Sequence, residues 1–98
     1  MQFPKNAQTD AFVDAILSLQ NSEEAYCFFE DICTVKEIQS IAQRLRVAQL
    51  LSRGESYQAV CVQTGASSAT VGRVKRCLDY GSGGYSMILS RQKGEEHE

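Results

Sequence analysis

Residues 57–76 constrain this chain more than any other stretch: Tyr-Gln-Ala-Val-Cys-Val-Gln-Thr-Gly-Ala-Ser-Ser-Ala-Thr-Val-Gly-Arg-Val-Lys-Arg. Val60, Cys61 and Thr64 form an inner face for one short helix. Val71, Val74 and Leu78 recur at the spacing of one buried face on a second. Between them Gly65 stands where a tight turn needs a residue free to take positive φ, and Ala66 is small enough for two helices to approach. The spacing predicts helices over 56–64 and 67–80, joined as a helix-turn-helix. Ser67, Ser68, Thr70, Arg73 and Lys75 or Arg76 are left facing away from the core.

The preceding residues also read as helical. Thr9 or Asp10 can cap a first helix reaching about Leu19, with apolar positions Phe12, Val13, Ile16, Leu17 and Leu19, a wider stripe than one core face needs. Asn21 and Ser22 with Glu23 and Glu24 start a second, since carboxylates favour the first turn. It is expected to bury Ala25, Phe28, Phe29 and Ile32 and to end near Cys33. Thr34 and Glu37 have capping-box spacing and open a long third helix to about Arg53, with Gly54 as its stop. One stripe on it is Ile38, Ile41, Ala42, Leu45 and Ala48; another is Val47, Leu50 and Leu51. A helix apolar on two sides has two partners to satisfy, which predicts an obligate homodimer. After residues 81–84, Gly-Ser-Gly-Gly, a helical turn or two is expected over 85–90, then a polar, frayed end over 91–98. The whole is one all-α domain: 9–53 a helical dimerisation core, 56–80 the helix-turn-helix, 81–98 a short helix and tail.

Composition bounds the function. The 98 residues are 43% hydrophobic and 22% charged, as in an ordinary globular protein. No apolar run approaches the ~20 residues of a membrane helix, and the first residues lack a signal-peptide pattern, so the expected location is the cytoplasm. Cys27, Cys33, Cys61 and Cys77 contain no C-x-x-C, so no metal is expected; three of the four sit among apolar residues at helical spacing, which reads as reduced cysteines acting as small core hydrophobes. The single His97 sits beside Glu95, Glu96 and Glu98, a solvated tail. With no nucleophile–base pair in view, no catalysis is expected. Residues 1–39 carry net charge −5 and residues 40–80 net +4.

That basic half contains the helix-turn-helix, and together they point to DNA. Short polar residues at the start of the second helix let its backbone approach phosphates and base edges. Ser67 or Ser68 can cap it, leaving nearby amides for a phosphate. Arginines further along suit guanine or phosphate. An ordinary hairpin with a solvated polar face has the same outline. So does a protein-interaction module that keeps the shape without binding DNA and uses the acidic front half with Tyr26 or Tyr80.

Two blocks carry a family resemblance. Residues 31–45, Asp-Ile-Cys-Thr-Val-Lys-Glu-Ile-Gln-Ser-Ile-Ala-Gln-Arg-Leu, and 69–81, Ala-Thr-Val-Gly-Arg-Val-Lys-Arg-Cys-Leu-Asp-Tyr-Gly, resemble the tryptophan repressor superfamily, in its TrpR-like YerC/YecD branch. The match runs from about residue 9 to 90. It implies an intertwined helical homodimer with two helix-turn-helix reading heads, a repressor-type regulator on a palindromic operator in double-stranded DNA, with half-sites about 10 base pairs apart. It places Ser67, Ser68 and Ala69 at base edges and Thr70 and Gly72 near the groove. Gln58 falls where the family has an arginine and Cys61 where it has a contacting lysine; Lys75 and Arg76 compensate from a later turn.

The resemblance also implies an effector pocket. Arg44 and Arg73 match the two cationic walls around tryptophan, and Thr34 matches a threonine beside it. Val74 stands where the tryptophan-binding proteins have glycine, Cys77 replaces a serine and Cys33 an apolar wall residue. A valine overfills a slot meant for a flat ring, so tryptophan is not the expected ligand. No cofactor is expected. Several versions stay open. Arg44 and Arg73 could clamp another anionic effector, or pair with Glu30, Asp31 or Glu37. Val74 could close the pocket for good. Cys33 and Cys77 could sense thiol chemistry.

Overall fold

The computed structural model describes residues 3–93, so His97 and its glutamates lie outside the described residues. All regular structure there is helical: α1 (Ala7–Leu17), α2 (Ser22–Ile32), α3 (Val35–Ser52), α4 (Tyr57–Thr64), α5 (Ser68–Tyr80) and α6 (Gly84–Lys93). None of these helices is long and apolar enough to cross a membrane.

Side chains set most helix starts. α1 begins earlier than its apolar pattern: its N-cap is Asn6, whose side-chain Oδ1 accepts from the Thr9 backbone amide at 2.9 Å, while the Thr9 hydroxyl accepts from the Asn6 backbone amide at 2.9 Å. Thr9 is thus the inner partner of a capping box, not the cap, and Leu19 falls beyond the helix. Asn21 caps α2 by accepting from the Glu24 amide at 2.8 Å. At α3 the predicted box closes: the Thr34 amide donates to Glu37 at 2.8 Å and the Glu37 amide to the Thr34 hydroxyl at 3.1 Å.

The chain divides into two compact units, Met1–Ile38 and Gln39–Glu98. In the first, the Phe12 ring centroid lies 6.4 Å from Phe28, which lies 5.7 Å from Phe29. No described residue of this unit is buried. Ala25, Phe28 and Phe29, expected inside, are half-buried, and Ile32 is exposed. Leu17 and Val35 are 76% and 70% exposed. Two eleven-residue helices and one further turn are too little chain to enclose a side chain.

The second unit has a true core. Val47, Ala48 and Leu50 from α3, Val60 from α4, Ala66 from the turn and Val71 and Val74 from α5 are buried together. Leu51, Cys61, Leu78, Tyr85 and Leu89 pack around them. Each buried valine or leucine contributes roughly 1.5–3 kcal/mol. Ala48, read with the other stripe, joins this core, while Ile41 and Ala42 stay exposed. α3 ends as predicted: Gly54 takes φ +90°, its amide donates to Leu51 and the Glu55 amide to Leu50, at 3.0 and 3.2 Å, so these two carbonyls of the last turn are satisfied.

The last helix and the cysteines also differ from the sequence expectation. α6 is nearly three turns long and includes Arg91 to Lys93, because Tyr85 and Leu89 dock it on the core and Gln49 donates to Gln92 at 3.3 Å. The cysteines are not all core: Cys61 packs against the core, Cys33 is half-buried, and Cys27 and Cys77 are exposed. Helical spacing alone does not say whether a small residue sits at the centre or the rim of a face.

Candidate nucleic-acid interface

The helix-turn-helix is held by an unbroken set of local bonds. Ser56 caps α4 by accepting from the Ala59 amide at 3.1 Å. α4 ends on Gly65, at φ +77°, whose amide donates to the Cys61 carbonyl at 2.9 Å. The Thr64 hydroxyl donates back to Val60 at 2.7 Å and accepts from the Ala66 amide at 3.1 Å. Ser67 caps α5: its hydroxyl accepts from the Thr70 amide at 3.1 Å and donates to the Thr70 hydroxyl at 3.2 Å. The turn is therefore bonded to both helices, and buried Ala66, Val71 and Val74 fix the rotation of α5.

That rotation decides which side chains face outward. Ser67, Ser68, Ala69, Arg73 and Arg76 are exposed; Thr70, Gly72 and Lys75 are half-buried. Ser68, Gly72 and Arg76 follow one row at four-residue spacing, with Ala69 and Arg73 beside them, opposite the buried valines. Among the described residues neither Arg73 nor Arg76 has a hydrogen-bond or ion-pair partner. Lys75 is different: its Nζ lies 3.3 Å from Asp79 Oδ1, one turn on. An exposed pair of this kind contributes only about 0.3–0.5 kcal/mol, so a phosphate can displace the carboxylate. Gln58 is exposed near the start of α4. Cys61 packs on the core instead of facing outward.

The residues assigned to an effector pocket are placed as follows. Thr34, in the first unit, is engaged in its capping box. Arg44 Nη2 lies 3.3 Å from the Ser40 hydroxyl, on its own helix. Arg73 is on the outer face of α5. Val74 is 1% exposed and part of the closed core; Cys77 is exposed. Sequence reasoning missed Tyr85. It is half-buried on the core within electrostatic reach of Cys77 and Arg44. Burial, then Cys77, pushes its phenol above 10.0, and Arg44 pulls the other way. The signal for it was the Tyr85/Leu89 spacing of four, hidden by the glycines just before it. Among the described residues no group of three or more His, Cys, Asp or Glu side chains could hold a metal ion.

Comparison with known proteins places this geometry. The family model for Trp repressor protein matches residues 7–93. The uncharacterized protein YerC of Bacillus subtilis (strain 168) is 50% identical over 94 residues, which are 96% of this chain and 90% of YerC. A crystal structure of a candidate Trp repressor from Staphylococcus aureus shares 49% identity at a TM-score of 0.88, covering 91% of this chain and 89% of that one. A TrpR-like protein from Eubacterium eligens ATCC 27750 shares 44% identity at a TM-score of 0.88, covering 91% and 92%.

Proposed function

Because this chain belongs to the Trp repressor protein family, we propose that it is a sequence-specific DNA-binding transcriptional regulator, of repressor type, that reads a palindromic operator as a homodimer and does not respond to tryptophan. One observation carries the reading: a hydrogen-bonded helix-turn-helix turns outward a face with a serine cap, small residues and two arginines that have no partner among the described residues. Arg73 and Arg76 reach base edges or phosphates from α5, Gln58 reaches from α4, and Lys75 is recruited from its weak pair with Asp79.

Residues 9–53 serve as the dimerisation core. The exposed apolar side chains of the first unit, Phe12, Val13, Leu17, Ile32 and Val35, support this, since a second copy would take them out of water. Two reading heads then meet successive major grooves about 10 base pairs apart. The regulator works by occupying its site in the cytoplasm and performs no covalent chemistry. Val74 supports independence from tryptophan: a flat ring cannot enter where a buried valine is already packed. No cofactor takes part, and occupancy follows protein concentration.

The test is selection of DNA sequences from a random duplex library by the purified protein, with and without tryptophan. The expected result is a palindromic consensus, unchanged by tryptophan. Recovery of no consensus at low salt contradicts the function; a consensus bound more tightly with tryptophan contradicts the role given to Val74.

A further inference from the structure

Gly72 is the only glycine in a helix interior among the described residues. Glycine is among the weakest residues for such a position, because it has the most backbone freedom to lose. Two other glycines have a plain reason: Gly65 takes φ +77°, and at Gly81 a Cβ would stand 2.5 Å from the Cys77 carbonyl oxygen. Gly72 has neither reason. Its φ is not positive, and a Cβ built there meets nothing within 4 Å. Among the described residues nothing requires the missing side chain.

Its position suggests an outside reason. Gly72 lies one turn from Ser68 and one turn from Arg76 on the outward row of α5, beside Ala69 and Arg73. Those arginines have no partner among the described residues. We propose that Gly72 is a specificity-determining position at which the main chain of α5 lies in van der Waals contact with the major-groove edge of bound DNA, with Arg73 and Arg76 gripping on either side. A side chain there would hold the helix away from the groove and lengthen the arginine contacts. This rests on the DNA-binding reading above.

The experiment compares wild type, Gly72→Ala, Gly72→Leu and Arg73→Ala on the duplex selected by wild type, with thermal unfolding of each. Gly72→Ala is expected to raise Tm by a few degrees, since alanine is the better helix former and has room. Its affinity for the selected duplex is expected to fall about tenfold or more, the usual size of one lost groove contact, and Gly72→Leu to fall further. A stabilised Gly72→Ala that binds as well as wild type overturns the proposal, while loss of binding in Arg73→Ala in the same series keeps the DNA reading. A lower Tm in Gly72→Ala also overturns it, because the glycine would then serve the fold. If wild type selects no duplex, the DNA reading fails and this proposal falls with it.

Discussion

The Gln43 side-chain amide donates to the Thr64 backbone carbonyl at 3.2 Å, tying α3 to the last turn of α4 across 21 residues of sequence. The bond is partly buried and satisfies a carbonyl that the end of α4 leaves open. Gln43→Ala is expected to cost about 1 kcal/mol in stability, seen as a lower denaturation midpoint at unchanged slope. A midpoint equal to wild type would show that water replaces the bond.

Gly65 and Gly72 make opposite predictions for the same substitution. Gly65→Ala forces a Cβ into a left-handed turn at φ +77° and is expected to destabilise by about 1–2 kcal/mol. Gly72→Ala is expected to stabilise. Thermal unfolding of the two variants side by side checks the signs, and equal signs would contradict the roles given to both glycines.

The helix-turn-helix was legible in the sequence because each of its signals is local. Gly65, Ala66, the Ser67 cap and the spacing of Val60, Val71 and Val74 fix it within 20 residues, and the Thr34–Glu37 box fixes the start of α3 the same way. Asn6 was missed because Ala-Gln-Thr-Asp follows it, with no large apolar side chain to mark the first turn. α6 was underestimated because Tyr85, Leu89 and Gln92 hold it through residues of α3 and α5 far away in sequence. In the candidate site, the outward row of α5 followed from the buried valines. The place of Tyr85 beside Cys77 did not, because it depends on how α6 docks.

The Lys75–Asp79 pair predicts an asymmetry. Asp79→Asn removes an anion beside the proposed DNA face, and we expect DNA affinity to rise severalfold at low salt with stability changed by less than about 0.5 kcal/mol. Lys75→Ala should weaken binding evenly across sequences and lower the salt slope by about 1 for each reading head. Titrations at several salt concentrations read both; an Asp79→Asn variant that binds more weakly would place Asp79 in a direct DNA contact.

Val74 predicts what the core can tolerate. Val74→Gly deletes a buried side chain and puts glycine into a helix, at an expected cost of about 3 kcal/mol. Tryptophan added to wild type is expected to leave Tm unchanged. A saturating rise in Tm with tryptophan would mean that a ligand site exists, since binding to the native state alone stabilises it.

Tyr85 predicts an alkaline limb. Its folded-state phenol is raised by burial first, so the native state holds the proton longer than the unfolded chain. Its contribution is fully present below about pH 10 and is lost as pH rises through the folded value. Tyr85→Phe cannot ionise there, so its stability should fall less steeply above pH 10 than that of wild type. Parallel slopes in both proteins would remove Tyr85 as the cause.

The measurement that tests the account most directly is the salt dependence of binding to the selected duplex, by fluorescence anisotropy, for wild type and Arg73→Ala. A dimer that grips several phosphates should lose affinity by powers of ten between about 50 and 200 mM salt, and Arg73→Ala should bind the selected duplex little better than a random one. Wild-type binding with no preference for the selected duplex at any salt, or an Arg73→Ala variant that keeps full preference, would contradict the claim that α5 reads DNA.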